Sequence, residues 1–134
     1  MKKLTLPKLK EKLQKVFNKY IRLRDSFGGF FTCIACGITH STDIMNAGHF
    51  YAVKGYDGLR FDEENVNGEC ASCNCWDQSH LIGYCLNLKN KLGENKLNAL
   101  HERARDYKRN GNKFMRYELE EKIEEYKQKI KELE

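Results

Sequence analysis

The chain has 134 residues and a mass of 15.7 kDa, a length that suits one domain burying roughly two-thirds of its extended-chain surface. With 40% hydrophobic and 32% charged residues and a mean hydropathy of -0.74, it offers no apolar run near the ~20 residues of a membrane span. The net charge of +5 is uneven: residues 1–24 hold nine Lys/Arg against Glu11 alone, so the positive field sits on an N-terminal arm suited to a polyanion such as nucleic acid.

The start, Met1-Lys2-Lys3-Leu4-Thr5-Leu6-Pro7-Lys8, has no apolar h-region and no small-residue cleavage site, so a cytosolic protein is expected. Over residues 7–24, Leu9, Leu13, Val16, Phe17, Tyr20 and Ile21 recur at three- and four-residue steps among Lys and Arg, which predicts an amphipathic helix. Thr5 can cap it, Pro7 suits its first turn, and Gly28-Gly29 ends the segment that follows. Phe30-Phe31-Thr32 reads as a short strand entering a Cys33-Ile34-Ala35-Cys36-Gly37 knuckle. A further strand is expected over 44–50, and a loop over 51–58, punctuated by Gly55, Asp57 and Gly58.

A second knuckle follows at Cys70-Ala71-Ser72-Cys73. Beyond it, Leu81, Ile82, Cys85, Leu86 and Leu92 keep helical spacing until Gly93, and 97–107 supports another helix that Gly111 breaks. Leu119, Ile123, Tyr126, Ile130 and Leu133 then form a coiled-coil-like stripe. That stripe can serve a second copy of the chain or pack on the N-terminal helix.

Six cysteines in a reducing compartment are poorly explained as disulfides, and four fall into two CxxC pairs. Zinc takes thiolates at about 2.3 Å, and each CxxC turn aims two sulfurs at one point. Cys33, Cys36, Cys70 and Cys73 are therefore expected to form a closed, structural zinc site. Cys75 is an alternative to Cys73, a redox CxxC is the competing chemistry, and Cys85 reads as a small buried hydrophobe.

Between and after the knuckles lie His49, Asn65 and Asn74. The order CxxC, His, Asn, CxxC-Asn resembles the HNH (ββα-metal, His-Me finger) nucleases. More closely, Gly48-His49-Phe50, Leu59-Arg60-Phe61-Asp62-Glu63-Glu64-Asn65-Val66 and Cys70-Ala71-Ser72-Cys73-Asn74 resemble the NinG/Rap family of lambdoid-phage recombination endonucleases. Tyr20-Ile21-Arg22-Leu23-Arg24-Asp25 and the closing Glu/Lys helix are similar to that family too.

The resemblance implies an α+β fold in a single domain over 1–134. A basic N-terminal helix would occupy 1–26, a zinc-stapled ββα-metal core 27–93, and C-terminal helices 94–134. It implies that His49 is the general base, that Asn65 braces the loop beside it, with Asn67 as a rival, and that Asn74 is a ligand of a catalytic Mg²⁺ or Mn²⁺. Most HNH sites carry an Asp or His before the base, where this chain has Gly48. Asp77, one turn after Asn74, is the nearest acid that could complete the site, and Gln78 is a neutral alternative. The run Trp76-Asp77-Gln78-Ser79-His80 departs from the family's more usual Lys/Ser/Gly-type sequence.

The expected function is metal-dependent hydrolysis of DNA near branch points during recombination, in the cytoplasm of a bacterial host. Lys8, Lys10, Lys12, Lys15, Lys19, Arg22 and Arg24 would contact phosphates, and a homodimer is one arrangement that serves a junction. The rival is a catalytically silent zinc-knuckle module that binds nucleic acid or protein. It keeps the cysteines and the arm but needs neither His49 nor Asn74.

Overall fold

The structure is a computed structural model that describes residues 3–75 and 79–134. It opens with helix α1 (Leu6–Arg24), where the Thr5 hydroxyl accepts from the Lys8 amide and Leu9, Leu13, Phe17 and Ile21 line one buried face. Strands β1 (Ser26–Phe27) and β2 (Phe30–Thr32) form a hairpin around Gly28-Gly29. Both glycines have positive φ, +59° and +84°, as a two-residue hairpin loop of this hand demands. β2 then pairs antiparallel with β3 (Thr39–Ser41), so the first Cys knuckle is the connection between two strands.

A 3-10 turn at Thr42–Ile44 leads into β4 (Met45–His49), which pairs antiparallel with β5 (Val66–Cys70) in a separate two-stranded sheet. The register runs from Met45 opposite Cys70 to His49 opposite Val66. After β5 come the short helix α2 (Ala71–Cys75), then α3 (His80–Leu92), α4 (Glu94–Asn110) and α5 (Arg116–Leu133). Gly93 and Gly111 cap α3 and α4 with positive φ, as the sequence breaks predict. Among the described residues, no helix is long and apolar enough to cross a membrane.

Two apolar clusters hold these elements. One gathers Phe31, Cys33, Met45, Tyr84, Leu88 and Leu100 around the knuckles; the other joins α1 to α5 through Leu13, Phe17, Ile21, Leu119, Ile123 and Tyr126. Leu119, Ile123 and Tyr126 of the stripe thus pack on α1 of the same chain, the second of the two arrangements open to it, while Leu133 stays exposed. In α3 the apolar residues Ile82 and Leu86 are 68% and 64% exposed, while Tyr84 and Leu88 are buried. The helix is turned this way because Tyr84 hydrogen-bonds the β4–β5 hairpin and Gly83 lies directly against the Ala35 carbonyl of the knuckle.

Candidate metal centre and active site

The Cys33–Cys36 turn and the β5–α2 junction converge from opposite sides of the first cluster. The Sγ atoms of Cys33, Cys36, Cys70 and Cys73 all lie within 4.8 Å of one another, and a tetrahedral ion at about 2.3 Å needs sulfurs about 3.8 Å apart. This four-thiol set fits a metal such as zinc with only a small contraction. Burial opposes the Cys33 thiolate, but amide donors from Cys36, Cys70 and Ala35, at 3.3–3.4 Å, outweigh it and hold its pKa below the ordinary value. Cys36 sits 3.6 Å from His40 Nε2. Cys75 is exposed with Sγ 3.9 Å from the Asn46 amide, and Cys85 is half-buried against the core.

His49 ends β4. Its Nε2 lies 3.0 Å from the Arg60 carbonyl oxygen, and since a carbonyl only accepts, Nε2 carries the proton and Nδ1 of the neutral ring is an acceptor. Burial of the ring holds its pKa below the ordinary histidine value, despite the bond to the Arg60 carbonyl.

The loop that supplies this carbonyl, residues 50–65, is clamped by Asn65. Its side chain is wholly buried, accepting from Tyr51 N–H at 2.8 Å and donating to Tyr51 O and Leu59 O at 3.1 Å each. The acidic run Asp62-Glu63-Glu64, just before Asn65 in the same loop, is pinned from three helices. Arg103 of α4 binds Asp62 and Glu64, while Tyr20 of α1 with Tyr126 and Lys129 of α5 bind Glu63.

Tyr84, which sequence reasoning missed, donates from its buried hydroxyl to the Gly48 carbonyl at 2.7 Å and accepts from Asn67 Nδ2 at 3.1 Å. Burial raises its pKa, so the hydroxyl keeps its proton. Asn67 faces this network and a strut of Arg24, Asp25 and Lys91 and reaches the loop only at the Glu64 carbonyl, 3.5 Å away, whereas Asn65 bonds both Tyr51 and Leu59. The signal was in the spacing: Tyr84, Leu88 and Leu92 also recur at helical steps, and that face, not the one through Ile82 and Leu86, is the one α3 buries.

Asn74 stands exposed on α2, which follows β5 directly after Cys70, at the end of the hairpin where Cys70 pairs with Met45. Asp77 and Gln78, the expected partners of Asn74, fall outside the described residues. A carboxylate that sequence reasoning did not single out lies on β5, directly before Cys70. Glu69 of β5 is fully buried and its Oε2 is 2.6 Å from His80 Nδ1 in the first turn of α3.

Lys8, Lys12, Lys15, Lys19 and Arg22 are exposed along α1 at alternating four- and three-residue steps, beside the buried stripe. Lys19 reaches Glu134 at 3.3 Å and Lys10 is half-buried, 2.7 Å from Asp57. Arg24 departs from the expected phosphate contacts. Its guanidinium donates to Glu63 O, Val66 O, Asn67 Oδ1 and both oxygens of Asp25, so it ties α1 to β5.

The described geometry can be set beside known proteins. The family described as Bacteriophage Lambda NinG protein matches residues 1–134. Protein ninG of Salmonella phage P22 is 32% identical over 120 residues, covering 90% of this chain and 55% of that protein. The protein of the same name from Escherichia phage 933W is 33% identical over 95 residues, covering 69% of this chain and 45% of that protein. That of Escherichia phage lambda is 28% identical over 120 residues, covering 90% and 54%. The chain spans about half the length of the curated relatives it matches. No solved structure matches it. With a family match along its whole length and these relatives beside it, the chain belongs to the NinG family of phage proteins.

Proposed function

We propose that this chain is a metal-dependent DNA endonuclease of the HNH, or His-Me finger, type, selective for branched DNA as the Rap resemblance implies. Its ββα unit would be β4, β5 and α2. The observation that carries the reading is His49: a strand-end imidazole, depressed in pKa by burial, with its Nε2 proton committed to the Arg60 carbonyl and Nδ1 left as acceptor. Such a ring is a free base at neutral pH. It would take a proton from water as the water attacks the scissile phosphorus in line. Asn65 and Tyr84 would fix the loop and the strand end on either side of it.

A divalent ion such as Mg²⁺ or Mn²⁺, bound through Asn74 and an acidic partner, would supply electrophilic stabilisation of the phosphoryl and 3′ leaving oxygens. Zinc in the four-thiol set would staple β2 and β3 to β5 and α2. The stripe from Lys8 to Arg22 runs about 21 Å along α1 and would follow phosphates without reading bases. A homodimer would have to use a surface other than the 119–133 stripe, and the site of action would be the bacterial host cytoplasm.

The test is a time course with Mg²⁺ or Mn²⁺ on a four-way junction, a flap and their component duplexes. Cleavage near branch points should be about fivefold faster than on linear duplex, equivalent to about 1 kcal/mol. Equal rates, or cuts that follow a base sequence when the branch is moved, would contradict structure selection. Retained DNA binding without metal-dependent cleavage would leave a silent zinc-knuckle module.

A further inference from the structure

Resting on the nuclease reading, we propose that Glu69 is the carboxylate ligand of the divalent-metal site, delivered from β5 into space that Gly48 leaves open. The β4–β5 register pairs Asn46 with Glu69 and Gly48 with Asn67, so these four side-chain positions share the face of the hairpin turned toward α3. Cys70 and the thiol cluster lie on the other. From its place opposite Asn46 the Glu69 side chain leans along the hairpin to position 48. A Cβ built on Gly48 would lie 2.1 Å from Glu69 Oε1 and 2.9 Å from Glu69 Cβ. The carboxylate therefore fills the volume that a side chain at position 48 would occupy, and the two are mutually exclusive.

This accounts for a glycine directly before the base. A ligand at position 48 is replaced by one that crosses from the neighbouring strand. A fully buried carboxylate is costly unless charge or hydrogen bonds compensate it, and His80 Nδ1 at 2.6 Å holds Oε2. The arrangement is a carboxylate oriented by an imidazole, of the kind that steadies metal ligands. Its oxygen chemistry suits Mg²⁺ or Mn²⁺, whereas the four-thiol set suits zinc. Asn74 on α2 would supply a second oxygen. His80 is then a positioning residue, and Gly48 sets which strand supplies the acid.

The test reads metal binding rather than cleavage. Mn²⁺ is titrated into ¹⁵N-labelled, zinc-loaded wild-type protein, and affinity is measured by electron paramagnetic resonance for wild type, Glu69→Gln, Gly48→Ala and His49→Ala. Mn²⁺ should broaden the amide signals of Gly48 and Glu69 first. Glu69→Gln and Gly48→Ala should each weaken Mn²⁺ binding at least tenfold, while His49→Ala binds as wild type yet does not cleave DNA. Broadening centred elsewhere in the wild type, or wild-type affinity in Glu69→Gln with zinc retained, would overturn the proposal. The wild-type spectrum decides the matter even if a variant fails to fold. Failure of the nuclease reading looks different: Mn²⁺ bound at Glu69 with no cleavage of any DNA.

Discussion

Replacing Asn65 by alanine removes three hydrogen bonds that close the loop beside His49: from Tyr51 N–H at 2.8 Å, and to Tyr51 O and Leu59 O at 3.1 Å each. Each such bond contributes about 1 kcal/mol net, and a buried group stranded without a partner costs about 1–3 kcal/mol. Tyr51 is only half-buried and can recover some hydration, so the loss should total about 2–4 kcal/mol. For a chain of this size that is a fall in Tm of roughly 6–15 °C, read by circular dichroism on zinc-loaded protein. The near-isosteric Asn65→Asp should do no better, because its second oxygen would face two carbonyls. Arg60 directly follows Leu59, so loosening the loop also frees the carbonyl that orients His49. Cleavage should drop about a hundredfold with DNA affinity retained. A Tm for Asn65→Ala within about 1 °C of wild type, or Asn65→Asp as stable as wild type, would refute the clamp.

Zinc should copurify at one ion per chain, and Cys70→Ser or Cys73→Ser should lose both the metal and cooperative unfolding; elemental analysis finding no zinc would contradict this. Replacing both Lys12 and Lys15 by alanine should lower the salt slope of DNA binding by roughly two, whereas Arg24→Ala should cost stability and leave that slope alone. The reverse pattern in filter binding and melts would return Arg24 to the phosphate contacts. Because burial lowers the His49 pKa, the neutral base persists below pH ~6.5 and the acidic limb of the cleavage profile should lie under that value. The same shift makes the unfolded state the better proton binder, so stability should fall as pH drops from ~6.5 toward the depressed pKa. A His49 titration by NMR with a midpoint above ~6.5 would contradict both statements.

The long helices were legible because each hides one stripe: Leu9, Leu13, Phe17 and Ile21 on α1 and Leu119, Ile123 and Tyr126 on α5 repeat at helical spacing and bury each other. The two CxxC turns announced their cluster through local geometry alone. Strands β1 and β3, at two and three residues, are too short to show alternation. β5 failed for another reason. Val66-Asn67-Gly68-Glu69-Cys70 is buried throughout, and its polar side chains are satisfied by Arg24, Lys91, Tyr84 and His80, partners far away in sequence. The same non-locality hid the strut made by Arg24, which in sequence is one more basic residue of the arm. It also hid Glu69, an unremarked acid until pairing set it against Gly48. His49 and Asn65 were found by their place in a motif, yet what makes them suited to their proposed roles, the Arg60 and Leu59 carbonyls, is backbone that no side-chain pattern encodes.

The central claim rests on one imidazole, and the most direct measurement is cleavage of a labelled four-way junction by wild type and His49→Ala in Mg²⁺ or Mn²⁺. Zinc content, Tm and DNA affinity are followed in parallel on the same samples. The account predicts that the variant keeps all three close to wild type, since a base acts on the barrier and not on ground-state binding, while cleavage falls by at least a hundredfold. A variant that still cleaves at near the wild-type rate would contradict the assignment of His49 as the base and, with it, the reading of this site.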